Sequence, residues 1–172
     1  MPQYSVISNG SPISYANASG TQAFFPSTPS VTVAGTTSYL FDAGFVFYKT
    51  TAGNGVTFSL LFGGTATRSS ILYTGTFSSS TDTTGIIYDS APTFFSNSTA
   101  TAFNISGIIN LAAVFSWGIR FQGVVRINAG GTFTPQFSLS GVPNATYIAS
   151  TGSYFRLAPI GDASSAVSWG WV

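Results

Sequence analysis

Four carboxylates are all the acid this 172-residue chain possesses: Asp42, Asp82, Asp89 and Asp162. Two suitably spaced carboxylates suffice for glycoside hydrolysis, one as acid and one as base or nucleophile. The neighbourhoods argue against that use. Asp82 lies in a Ser/Thr tract, Asp89 precedes Ser90-Ala91-Pro92, and Asp162 sits in Gly161-Asp162-Ala163, all ordinary turn and cap settings. Asp42 falls within a strand pattern and is expected to pair with an arginine on a neighbouring strand. No Asp-x-Asp spacing supports a calcium site. Glu, His and Cys are absent, which removes the usual ligands of zinc, iron–sulfur and haem sites and the bases of Ser–His and Cys–His catalysis. The expectation is a non-enzymatic protein with no catalytic residue, no cofactor and no metal.

Other motifs weaken on inspection. Gly63-Gly64-Thr65-Ala66-Thr67 resembles a phosphate loop, but Arg68-Ser69-Ser70 and a strand follow instead of Lys-Ser/Thr and a helix. A β-turn or bulge is expected there. Asn-x-Ser/Thr at Asn17, Asn97, Asn104 and Asn144 arises readily in a chain so rich in Ser and Thr. Arg68, Arg120, Arg126 and Arg156 are too sparse for a nucleic-acid footprint, and at a net charge of +1 no nucleic-acid partner is expected. Their expected use is pairing with aspartates or with carbonyls across subunits. Trp169 and Trp171, beside the last residue, are costly to leave wet, so they seal the core, anchor an interface or, as a third option, form a sugar-binding platform.

The elements that carry these residues read as strands. Val, Ile, Thr and the 27 aromatics make up about two fifths of the chain, and strong helix formers are scarce. Tyr39 to Tyr48 alternates yet is apolar on nearly both faces. Val56 to Phe62, Ser70 to Phe77, Ile86 to Tyr88, Ala102 to Ile109, Thr132 to Ser140, Thr146 to Ala149, Ser153 to Ala158 and Val167 to Trp171 follow as further strands. The clearest is Trp117 to Asn128, with Trp117, Ile119, Phe121, Val125 and Ile127 on one face and Arg120, Gln122, Val124 and Arg126 on the wetter one. The expected fold is all-β: an antiparallel two-sheet sandwich, jelly-roll-like, over residues 31–172.

Residues 1–30 stand apart, with Pro2, Pro12, Pro26 and Pro29 and a turn signal at Asn9-Gly10. They are expected as an extended N-terminal arm that docks on a partner through Tyr4, Ile7, Ile13, Tyr15, Phe24 and Phe25, a first strand and loop of the same domain being the alternative. No apolar run reaches the roughly 18 residues of a spanning helix, and residues 1–20 lack the pattern of a signal peptide. No membrane partner is expected. The positive mean hydropathy, with nine charged side chains, leaves more apolar surface than one sandwich hides. That points to self-association as a homotrimer, with Trp117, Arg120, Arg126, Trp169 and Trp171 as expected subunit-interface residues.

Several blocks resemble a family of small virion proteins of tailed bacteriophages, including phages of cyanobacteria. They are Gly35-Thr36-Thr37-Ser38-Tyr39-Leu40-Phe41, Phe62-Gly63-Gly64-Thr65-Ala66-Thr67 and Ser70-Ile71-Leu72-Tyr73. Gly123 to Ser138 and Gly152 to Gly161 complete the set. These are turn-and-strand motifs, so the resemblance implies fold and context rather than chemistry. It implies a trimeric jelly-roll protein on the capsid exterior, synthesised in the host cytoplasm, with the phage major capsid protein as partner. About 34 residues precede the module, too few for a fibre shaft, which favours a capsid decoration (cement) protein. The rival expectation is the receptor-binding head of a tail fibre that recognises host glycans. A carbohydrate-active enzyme has too few acids.

Overall fold

Among the described residues, alternation of aromatic or β-branched residues with Ser, Thr and Gly carries the chain through fourteen strands and no helix. The computed structural model describes residues 5–49, 51, 53, 54, 56–81, 87–89, 93–97, 103–109 and 115–162. The strands are β1 (Ser5–Ser8), β2 (Ile13–Ser14), β3 (Gly20–Ala23), β4 (Val31–Val33), β5 (Thr37–Lys49), β6 (Val56–Gly63) and β7 (Thr67–Thr81). After them come β8 (Ile87–Asp89), β9 (Thr93–Asn97), β10 (Phe103–Ile109), β11 (Phe115–Ala129), β12 (Gly131–Leu139), β13 (Tyr147–Ala149) and β14 (Tyr154–Asp162). The strand expected at Val167 to Trp171 lies outside the described residues.

The larger sheet runs β1-β14-β5-β11-β7-β8, and the smaller runs β10-β6-β12-β3. With short β2, β4 and β13 and the β7–β9 insert set aside, eight strands remain, and their pairing is nested. The first pairs the last (β1 with β14), the second the seventh (β3 with β12), the third the sixth (β5 with β11) and the fourth the fifth (β6 with β10). That is a long hairpin rolled over on itself, the strand order of a jelly roll. Every pair is antiparallel, and β7 widens the larger sheet by pairing along most of β11.

Between the sheets lies a core dominated by phenylalanine. Phe45, Phe47, Phe121 and Trp117 from the larger sheet meet Phe58, Phe62, Phe133 and Phe137 from the smaller one, all nearly or fully buried. Phe58 stacks on Phe137 with ring centroids 4.9 Å apart, and Phe62 on Phe133 at 5.1 Å. Such stacked and tilted pairs add to the burial of the rings themselves.

Residues 5–30 are part of this sandwich, which corrects the expected division into an arm and a domain. β1 pairs β14 in the larger sheet and β3 pairs β12 in the smaller. Phe24 is fully buried and lies against Phe45, Phe47, Phe58, Phe121 and Phe137. Tyr15 donates its hydroxyl to the Phe24 carbonyl at 2.7 Å. The prolines fall between the strands: Pro12 separates β1 from β2, and Pro26 and Pro29 follow β3. They set turns that let a short-stranded segment take its place on both sheets.

Candidate interaction surface

Period-two alternation on β5, β11, β7 and β14 turns one set of residues into the core and the other outward. Register makes the outward set into rows. Arg156, Asp42, Gln122 and Thr74 stand side by side across four strands, with Val6 of β1 at the end. One row along, Ala158, Leu40, Val124 and Leu72 form an apolar line. On the other side come Tyr154, Gly44, Arg120 and Thr76, then Val46 beside Gly118.

This face holds an unusual amount of exposed hydrocarbon. Val6 (54%), Leu40 (44%), Val46 (52%), Leu72 (56%) and Ile160 (52%) are exposed large apolar residues; the first four belong to the larger sheet's outward set, and Ile160 sits at the bulge in β14. The sixth among the described residues, Val142, is in a loop. Scattered exposed leucines are normal, but a contiguous line on one sheet face marks a contact surface. A depression of about 560 Å³ lies over Leu40, Leu72, Val124, Asp42, Gln122 and Arg156. A second, of about 430 Å³, lies where Gly44 and Gly118 lower the floor between Val46, Arg120 and Tyr154. Gly44 has no room for a side chain without displacing the Tyr154 ring, which would lie 2.9 Å from its Cβ.

Charge on the face is fixed in place. Asp42 forms an ion pair with Arg156 on the adjacent β14, as expected from the sequence. The Tyr154 hydroxyl also donates to Asp42, at 3.3 Å, and the Arg156 guanidinium sits 5.0 Å from the Tyr154 ring centroid. Asp42 is therefore held as a structural anion by a cation and a phenol. Arg120 and Arg126 are exposed on the same face. Six residues apart on β11, they are about 20 Å from each other along the strand.

Arg68, Lys49 and three buried tyrosines lie off this face. Arg68 is on the inward side at the rim and donates to the Phe62 carbonyl at 2.6 Å, so it does not join the other arginines in a patch. Burial lowers its pKa, with Tyr73 acting in the opposite direction. Burial raises the phenols of Tyr15, Tyr73 and Tyr147. Lys49 is almost wholly buried at the end of β5, and desolvation lowers its pKa. No cluster of metal-ligating side chains occurs among the described residues. Among them, too, no helix is long and apolar enough to cross a membrane.

The glycine-rich loop proves to be a turn whose amides are already used. Gly64 has a φ of +104°. Thr65 donates its amide to Thr132 Oγ1 at 3.0 Å, and Ala66 donates to the Thr132 carbonyl at 3.0 Å.

The expected contact residues fall into three groups. Ile7, Tyr15, Phe24 and Phe25 are buried in the chain's own core, with Ile13 packed against it, so they are not the docking contacts they were expected to be. Trp117 is likewise no interface residue: it is 1% exposed and stacks on Phe47 at 5.3 Å. Alternation on β11 turns it inward with Ile119 and Phe121. Arg120 and Arg126 do lie on the outward face. Tyr4, Trp169 and Trp171 lie outside the described residues. The apolar line of Leu40, Val124 and Leu72 was missed as a site, although the doubly apolar strand Tyr39 to Tyr48 was its signal.

No family model matches the chain, and no curated protein does. Among solved structures, the chain is similar to one in "Structure of infectious bursal disease virus Gx strain", with 17% identity and a TM-score of 0.22. The likeness covers 92% of this chain and 39% of that one, so this chain spans about two fifths of its length.

Proposed function

We propose that this chain is a non-enzymatic structural protein of a virion, a decoration or cement protein that assembles as a homotrimer and binds the major capsid protein on the capsid exterior. The observation that carries the reading is the apolar line on the outward face of the larger sheet, flanked by arginines. A complete sandwich with its own core has no internal need for such a face, whereas a protein that works by contact does. Asp42, the one carboxylate whose side chain is described, supports the non-enzymatic part, because its ion pair with Arg156 occupies it. The resemblance of the turn-and-strand blocks to phage virion proteins supplies the context.

Particles stripped of the protein provide the test. Adding the purified chain back is expected to restore occupancy and raise the temperature at which particles release their genome. Failure to bind, or binding with no change in that temperature, would count against a cementing role.

A second reading, a receptor-binding head, draws on the polar row Arg156, Asp42, Gln122 and Thr74, whose donors and acceptors suit sugar hydroxyls. It places few copies on the particle, at the tail.

A further inference from the structure

We infer that Asn9 is a self-modification site: when β1 lifts, the backbone amide of Gly10 converts the Asn9 carboxamide to a carboxylate, and the product keeps β1 from closing again. One asparagine, followed by glycine, is the tie between an edge strand and a turn far along the chain. The site does not depend on the proposed virion role.

The hold on the strand is concentrated in one residue. β1 is the edge of the larger sheet, where it pairs with β14, and three of its four residues are exposed. Where β1 ends, Asn9 takes over. Its backbone amide donates to the Ser153 carbonyl at 3.2 Å, and its carbonyl accepts from the Gly152 amide at 3.1 Å. Its side-chain Nδ2 donates to the Ser150 carbonyl at 2.8 Å and to the Ser11 carbonyl at 3.1 Å. Asn9 is buried, while Gly10 beside it is exposed. A short edge strand opens locally before the rest of a sheet does, and here the Asn9 bonds oppose that opening.

The chemistry needs nothing from outside but water. Gly10 has no side chain to hinder attack by its own amide nitrogen on the residue before it. That nitrogen bonds Asn9 Cγ, the Cγ–Nδ2 bond breaks, the amide proton passes to solvent and ammonia leaves. Water then opens the cyclic imide and leaves a carboxylate on an aspartyl or isoaspartyl residue. Closing the imide ring swings Cγ toward the Gly10 nitrogen, a movement that the bonds at both ends of Asn9 oppose. Asparagine is thermolabile, so the closed latch protects it and each opening exposes it.

The product does not rebuild the latch. Nδ2 is a donor aimed at two carbonyls, and a carboxylate oxygen in its place is an acceptor aimed at acceptors. Asn9 Oδ1 is buried with no hydrogen-bond partner, so a charge there is desolvated without compensation. The change runs one way.

The test holds the chain in mildly alkaline buffer, folded and in urea, while peptide mapping by mass spectrometry follows amide-to-acid conversion at Asn9. Conversion is expected to be at least about tenfold slower in the folded chain. Gly10→Ala, which has open space for its methyl group, is expected to slow conversion in urea without loss of fold. Asn9→Asp supplies the product directly. Its hydrogen exchange is expected to quicken in β1 and in the β14 amides that face it, with β11 and β7 unchanged. Asn9→Ala removes the same donors without adding a charge, and takes its place if Asn9→Asp does not fold. No conversion in urea, equal rates in the folded and unfolded chain, or variants whose β1 exchange matches the parent would overturn the inference and leave the virion reading standing.

Discussion

Phe24 stacks on Phe45 with ring centroids 4.0 Å apart and planes 20° from parallel. The first belongs to the segment that follows β3, the second to the middle of β5, and the contact ties the start of the chain to the centre of the sandwich. Removing that ring leaves a void among Phe47, Phe58, Phe121 and Phe137. Phe24→Ala is therefore expected to cost about 3–5 kcal/mol, read as a lower urea midpoint. Deleting residues 1–22, which takes β1, β2 and most of β3, is expected to abolish the cooperative transition. A truncated chain with the full stability of the intact one would contradict this placement.

Gly64 offers a sharper local test. Its φ of +104° is disfavoured for other residues, and a Cβ there would lie 2.1 Å from the Thr132 carbonyl oxygen. Gly64→Ala is expected to destabilise by about 1–3 kcal/mol or more. Gly10 has open space around its Cβ position, so Gly10→Ala is expected to stay within about 0.5 kcal/mol of the parent. Equal effects at the two sites would contradict the turn geometry.

Alkaline pH probes the buried phenols. Tyr15, Tyr73 and Tyr147 have pKa values raised by burial, so the folded chain holds protons that the unfolded chain releases above about pH 10. Their contribution is complete below that pH and is lost as pH climbs through it. Lys49, pushed downward by desolvation, acts in the opposite direction, adding stability as pH rises through its lowered value. Three phenols outweigh one ammonium. Urea midpoints are expected to fall steeply above about pH 10; midpoints that keep rising there would contradict the burial of these rings.

Much of the fold was legible because its long strands obey strict alternation. The faces of β11 follow from the sequence alone, including the outward Arg120 and Arg126 and the inward Phe121. That Asp42 pairs with an arginine of a neighbouring strand was legible for the same reason, since an outward acid mid-sheet meets only its row neighbours; which arginine was not. β1 to β4 were harder. They are two to four residues long, too short for a period to show, and prolines between them read as an extended arm. What placed Phe24 and Tyr15 in the core was tertiary pairing with β12 and β13, which no local pattern encodes. The apolar row of the larger sheet was hidden differently. Leu40 and Leu72 look like core residues in sequence, and only the register shows that they align on the face turned away from the core.

Self-association itself is measurable without any variant. Light scattering at micromolar concentration is expected to give about three times the 17.9 kDa chain mass. A contact made by apolar rows is expected to keep that mass nearly unchanged as salt is raised. A monomer at that concentration, or assembly that dissolves in moderate salt, would contradict an apolar trimer interface.

Copy number in purified particles tests the proposed role most directly. Quantitative mass spectrometry of the intact virion, calibrated with labelled peptides, gives the ratio of this chain to the major capsid protein. A decoration protein is expected in a fixed ratio of the same order as the shell protein, in multiples of three. A few copies per particle, co-purifying with tails, would contradict it and establish the receptor-binding reading in its place.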